Sequence, residues 1–300
     1  MRRGATDTAR PCAACEESGF PGAFSATLPD MADEITLGIV TDLHFGPEAH
    51  FEGKLRKLTA KAPELTRAFV SQMNDVVRPD LIVNLGDDIE DESREADLER
   101  YGQCQSLLRG AIAPLVNVAG NHDTAILNRD DINRFWGRQG QLYYSFDQAG
   151  WHFVVLHTVE KTGVSIHVGA PQIEWLRKDL QGATTPTIVL MHHSASEQIL
   201  DDSRWWPGRQ HLALVENRAE LRRVFESSGR VKAVYNGHLH WNHFDVIREI
   251  PYVTLQSLIE NLDDDAPGRA AGAYAEVRLS ERRMVVRVHG NDPARYQVEW

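Results

Sequence analysis

The sequence predicts an α/β fold, and three observations carry the prediction. Short apolar runs of strand length alternate with stretches of helical spacing, beginning β-α-β-α-β. Each early run stops at a turn and then presents carboxylate, amide or imidazole groups, and strand ends are where open α/β sheets bind ligands. The final stretch reads as strands alone, so the layout is two β-rich halves packed together and flanked by helices.

Glu34–Thr41 (EITLGIVT) reads as the first strand and ends in Asp42-Leu43-His44. A loop with Pro47, His50, Phe51 and several Lys and Arg residues follows. Pro63 suits a helix start, and Leu65, Phe69, Met73 and Val76-Val77 recur at helical spacing until Arg78-Pro79 breaks it. Asp80–Leu85 is the second strand, ending in Gly86-Asp87-Asp88. An acidic stretch, Glu90–Glu99, runs into a helix that stops near Gly110. The third strand, Leu115–Val118, leads to Gly120-Asn121-His122-Asp123. These connections suit right-handed parallel crossovers. A short helix at Asp130–Trp136 precedes a hairpin, Leu142–Phe146 with Trp151–His157, turning at Gly150. Pro171–Leu180 is a helix, and Thr187–Met191 is a buried strand ending in His192-His193. Residues 194–214 form a long polar and aromatic loop, and loops of that length are functional lids or disordered segments. Asn217 is placed to cap a helix over Arg218–Glu226, and Val231–Tyr235 ends in Gly237-His238-Leu239-His240. Four further strands are expected at His243–Glu249, Tyr252–Gln256, Ala273–Leu279 and Met284–Val288.

The chain has 300 residues, 42% hydrophobic and 25% charged, which is ample for a core. Residues 1–33 read as a disordered extension and residues 34–300 as one domain with a candidate lid at 194–214. A net charge of -11 argues against a surface that holds nucleic acid or anionic lipid. It does not argue against a small anion held at a local cationic site. With three cysteines there is no disulfide framework; Cys12 and Cys15 form a lone CxxC in a segment read as a tail, and Cys104 reads as packing. No apolar run is long enough for a transmembrane helix and no secretory signal is evident, which makes the cytoplasm the expected location.

Five strand ends thus offer Asp42 and His44, Asp87, Asn121 and His122, His192, and His238 and His240. Asp-x-His and His-x-His put both side chains on one side of an extended backbone. Carboxylate, carboxamide and imidazole without thiolate suit Mn, Fe or Zn better than Mg²⁺ or Ca²⁺ alone. The donors excluding His122 are too many for one ion, and two ions sharing a carboxylate use them all. Such a pair, roughly 3.5–4 Å apart, activates water and clamps the oxygens of a displacement at phosphorus.

The ordered set D-x-H, G-D, G-N-H-D, H and G-H-x-H over Asp42–His240 resembles the calcineurin-like metallophosphoesterase superfamily. The resemblance implies a four-layer α/β-β/α sandwich of two mixed β-sheets flanked by helices. It implies two divalent or trivalent transition-metal ions, one held by Asp42, His44 and His240, the other by Asn121, His192 and His238, with Asp87 bridging. His122 would contact the phosphate and protonate the leaving oxygen, oriented by a carboxylate for which Asp123 and Glu90 are both candidates. His193 is the rival to His192, because adjacent strand side chains point oppositely. Asp88, Asp91 and the acids after them read as a solvated helix face, and His152, His157, His167 and His243 as hairpin or core residues. Trp205, Trp206 and Arg209, with Arg204 and His211, form a substrate lid or a loop packed on the rim. His50, Lys54 and Arg56 read as a solvated entry rather than phosphate ligands.

Within the superfamily, Leu142–Phe146, the helix entry Gly169–Leu176 with Gln172 and Trp175, and His192-His193 look like the bacterial cyclic-nucleotide phosphodiesterase branch. Leu156-His157-Thr158 and Ser194 depart from that branch. The expected activity is hydrolysis of a small phosphodiester by a water activated between the ions; the alternatives are a phosphomonoesterase, a nucleotide pyrophosphatase and, last, a non-catalytic scaffold. The expected partner is a small phosphorylated substrate, not a nucleic-acid polymer or a membrane, with a homodimer left open.

Overall fold

The computed structural model describes residues 34–300, and the readings made for residues 1–33, including Cys12 and Cys15, lie outside them. Two six-stranded mixed sheets form the centre. One runs in the order Ala294–Glu299, Arg283–His289, Tyr274–Leu279, Ile35–Val40, Leu81–Asn84, Leu115–Asn117. The other runs His243–Ile247, Ile250–Thr254, Val231–Asn236, Thr187–Leu190, Trp151–Val155, Tyr144–Gln148. In the first sheet Ile35–Val40, Leu81–Asn84 and Leu115–Asn117 run parallel up to one edge, and the other three strands continue antiparallel; in the second the four inner strands are parallel and an antiparallel strand closes each edge.

Period-two alternation makes this a sandwich. Leu37, Ile39, Leu81 and Val83 face the partner sheet, where Phe153, Val155, Ile188 and Leu190 meet them. Val40 and Ile82 face the other way, onto Phe69, Met73, Tyr101, Cys104 and Leu108 of helices Ala62–Gln72 and Arg94–Leu108 and the π-helical turn Met73–Val77. On the far side Val154, Val189 and Val234 pack on Ile173, Leu176, Leu221 and Phe225 of helices Ala170–Gly182 and Arg218–Ser228. The fold is therefore a four-layer α/β-β/α sandwich, and the ends of the parallel strands of both sheets meet at one rim.

Four local expectations need correction. The loop after the first strand contains a hairpin, Ala49–Phe51 with Lys54–Lys57. The second helix starts at Arg94 behind a Ser93 cap, so Asp91 lies in irregular chain before it, and Asp88 is fully buried, accepting from Asn84 and Gln105, instead of standing on a solvated helix face. Asn217 stands before helix Arg218–Ser228, but its side chain bonds the Val168 backbone rather than capping. Ala294–Glu299 adds an edge strand that the sequence reading left unassigned.

Candidate metal centre

Each predicted donor sits just beyond a strand end, but not on extended backbone. Asp42, His44, Asp87, His238 and His240 all have left-handed φ, between 46° and 66°. The D-x-H and H-x-H pairs are therefore aimed by alternating turns, which corrects the alternation argument. Such conformations cost about 1–3 kcal/mol each for non-glycine residues and persist only where surroundings enforce them. Backbone bonds do the enforcing: Asp42 N donates to Gly86 O (2.9 Å), His44 N to Asp87 O (2.9 Å) and Gly237 N to His192 O (3.1 Å).

Two motif glycines supply clearance. A Cβ on Gly120 would lie 2.8 Å from the Asp87 carboxyl carbon, and one on Gly237 would lie 2.5 Å from Asp42 Oδ2. The chain can pass this close to both carboxylates only without a side chain.

The structure brings six of the seven predicted donors together in two overlapping groups, and the seventh, His238, converges with His192 and His193. In the first, His44 Nε2 is 3.2 Å from His240 Nε2 and 3.8 Å from Asp42 Oδ1, and His240 Nε2 is 3.5 Å from Asp42 Oδ1. In the second, His192 Nε2 is 3.1 Å from Asn121 Oδ1 and 3.2 Å from Asp87 Oδ2. The same Asp87 oxygen lies 3.8 Å from His44 Nε2, so one carboxylate faces both groups. These spacings match the edges of a coordination polyhedron with donor–metal bonds of about 2.0–2.2 Å. His192 Nδ1 is taken by Leu85 O (2.9 Å) and His238 Nε2 by Leu212 O (2.9 Å), which fixes the ring nitrogen each leaves for a metal. The rival His193 bonds the Thr158 hydroxyl (2.7 Å) and stacks 4.0 Å from the His238 ring; His192 is the one that meets Asp87 and Asn121.

The charges agree with a cation site. Burial works against the charge on Asp42 and Asp87, yet the surrounding imidazoles override it and hold both well below the usual carboxylate range. His192 and His240 are raised to about 9 against burial, by Asp87 and by Asp42 respectively. Carboxylates kept ionised among imidazoles whose nitrogens converge make a donor set that exchanges protons for metal.

His122 Nδ1 is held by Asp91 Oδ1 at 2.5 Å, and His122 N donates to Asp87 Oδ1 (3.0 Å). The orienting carboxylate is thus Asp91, a correction to both candidates. Asp123, at the third position of helix Asn121–Ile126, accepts instead from the backbone N–H of Asp87, Asp88 and Gly120. Glu90 Oε2 takes His44 Nδ1 (3.0 Å) and the Lys57 ammonium (2.7 Å). Three residues escaped the sequence reading: Asp91, Lys57 and Glu260. Glu260 is fully buried and bonds His240 Nδ1 at 2.8 Å. The only sequence signal for Glu260 was an acid inside the apolar stretch Leu258–Leu262.

The loop at 194–214 lies over this rim. Trp205 packs on the His240 ring (5.1 Å between centroids) and Trp206 on His238 (4.8 Å). Arg209 pairs with Glu52 and lies over Phe51 of the hairpin. Lys54 and Arg56 are tied to Asp264.

A family model described as calcineurin-like phosphoesterase matches residues 35–242. A probable cyclic nucleotide phosphodiesterase of Synechococcus sp. is 26% identical over 170 residues, 54% of this chain and 59% of that protein. One of Psychrobacter arcticus is 24% identical over 172 residues, 55% of this chain and 58% of its own length. The alignments thus span less than two thirds of either relative. The crystal structure of a dimetal phosphatase from Danio rerio superposes with a TM-score of 0.72 at 18% identity, covering 89% of this chain and 99% of that one.

Proposed function

The chain belongs to the calcineurin-like phosphoesterase family, and we propose that it hydrolyses a small phosphodiester, a cyclic nucleotide or a similar ester, at a dinuclear metal centre. The observation that carries this reading is the Asp87 carboxylate, whose one oxygen faces the nitrogens of both donor groups. Asp42, His44 and His240 would hold one ion, Asn121, His192 and His238 the other, and Asp87 both. Mn, Fe or Zn would supply Lewis-acid charge at phosphoryl oxygens and lower the pKa of bound water. The chain's own contribution is positional. Asp91 fixes the His122 ring through Nδ1, which leaves Nε2, on a side chain 24% exposed, to hold the proton that the leaving oxygen receives. Glu90 and Glu260 fix the rings of His44 and His240 in the same way.

The diester preference is supported by the two relatives named as probable cyclic nucleotide phosphodiesterases. The reading keeps a small phosphorylated molecule as partner, no nucleic-acid polymer, and a cytoplasmic location. Among the described residues no helix is long and apolar enough to cross a membrane. The test is a panel of bis-p-nitrophenyl phosphate, p-nitrophenyl phosphate, cyclic AMP and nucleoside diphosphate conjugates with added Mn²⁺. Highest kcat/KM on diesters supports the proposal. Preference for the monoester or the pyrophosphate bond overturns the diester part, and no metal uptake with no turnover overturns the whole.

A further inference from the structure

Lys57 ends the hairpin strand Lys54–Lys57 with its side chain only 7% exposed. Its ammonium lies 2.7 Å from Glu90 Oε2, 3.4 Å from His44 Nδ1 and 3.4 Å from His122 Nε2, with the Trp205 ring centroid at 5.6 Å. An ammonium has three donors, and here one firm acceptor. Glu90 Oε2 is already shared with His44 Nδ1, and the two imidazole distances are long for hydrogen bonds. A buried cation so thinly paired is costly to keep. It lies beside His122 Nε2, the atom that the reading above leaves free for the substrate. Neighbouring Lys54 and Arg56, by contrast, are spent on Asp264.

We propose that Lys57 is a substrate-facing cation that binds a phosphoryl or leaving-group oxygen beside His122 Nε2. The inference rests on the phosphoesterase reading and deepens it. In the reaction the P–O bond to the leaving group breaks, water oxygen bonds phosphorus, the proton on the leaving oxygen comes from His122, and the proton lost by the water passes to solvent, from which His122 is reprotonated. Lys57 keeps its three protons throughout and contributes charge and hydrogen bonds only. The alternative is that Lys57 merely neutralises Glu90 and so steadies His44.

The deciding comparison uses Lys57→Met, Glu90→Gln and the double variant, each loaded with Mn²⁺. Metal content is read by elemental analysis, inorganic phosphate affinity by calorimetry, and kcat on a phenyl ester against a p-nitrophenyl ester. Loss of charged hydrogen bonds predicts phosphate binding weakened roughly ten- to hundredfold in Lys57→Met, with both ions retained. The same factor should separate the double variant from Glu90→Gln alone, and the phenyl ester should lose more rate than the better-leaving p-nitrophenyl ester. Unchanged phosphate affinity, loss of an ion, or recovery of binding in the double variant would overturn the proposal in favour of the neutralising role. Wild-type protein that turns over neither ester sinks the phosphoesterase reading, while the phosphate titration still decides Lys57.

Discussion

Replacing Glu260 by Gln tests whether the carboxylates behind the donors matter as much as the donors. Glu260 Oε2 bonds His240 Nδ1 at 2.8 Å; Trp205 Nε1 reaches both carboxylate oxygens at 3.1 and 3.2 Å; Arg204 Nη1 bonds Oε1 at 3.0 Å. All three partners donate, so a carboxylate satisfies them and an amide cannot. In Glu260→Gln the NH₂ must face a donor in a fully buried site. His240 also loses one of the two carboxylates that raise its basicity. Outer partners of this kind are worth about 10–100-fold in metal affinity, or roughly 1.4–2.7 kcal/mol. The effect should be confined to the ion held by Asp42, His44 and His240, because nothing on the His192 side touches Glu260. Competition against a graded chelator, with bound metal counted at each step, separates the two ions. One ion weakened at least tenfold and the other unmoved is the expected result. Two unchanged affinities would show that ring orientation is set by packing alone, and equal loss of both would show a collapsed rim instead of a mispositioned ligand.

Three other perturbations have definite outcomes. Asp91→Asn should lower kcat about tenfold or more while both ions stay bound, because only the His122 ring loses its anchor; metal loss would contradict the separation of roles. Gly237→Ala places a Cβ 2.5 Å from Asp42 Oδ2 and 3.0 Å from Thr41 Cβ, so about 1–3 kcal/mol of stability should vanish, and an unchanged melting temperature would refute the clearance argument. His152 sits between Asp147 (2.7 Å) and Asp179 (2.9 Å); burial opposes its charge, but the two carboxylates win and raise its pKa. A folded value above the unfolded 6.5 means the contribution is whole below that pH and is lost as pH rises through the folded value. Urea titrations should therefore show the stability gap between wild type and His152→Gln closing as pH is raised, and a gap flat in pH would refute it.

The sandwich and the donor set were legible for the same reason. Each strand is a short apolar run, and each donor follows its strand within a few residues, so local pattern encodes both. The expected hairpin, five of the helices and most strands lie where periodicity put them. Ala294–Glu299 alternates exposed and half-buried residues around Tyr296 and Val298, a period-two signal that was present and passed over. Lys57, Asp91 and Glu260 were not legible in this way. Their neighbourhoods say little: Lys57 follows two other basic residues, Asp91 lies in a run of acids that reads as a helix face, and Glu260 is marked only by being an acid between Leu258-Ile259 and Leu262. They reach His122, His44 and His240 only through tertiary packing, across separations such as the 31 residues between Asp91 and His122.

The geometry of the donors explains why the motifs carry glycine at all. Asp42, His44, Asp87, His238 and His240, on three of the five converging loops, accept left-handed backbone, and convergence forces main chain against carboxylate. Gly120 and Gly237 stand where that contact is tightest, against Asp87 and Asp42 respectively. Gly120 and Gly237 are thus statements about a partner far along the chain, whereas Gly86 also serves its own turn, with a φ of 96°. The consequence is that the strained donors and the clearance glycines form one unit. A substitution that relieves strain at a donor, such as glycine at Asp42 or His238, removes a ligand; one that fills the clearance displaces the carboxylate. Neither kind can raise stability without weakening the metal site, so the local cost of the left-handed turns is fixed by the chemistry they hold in place.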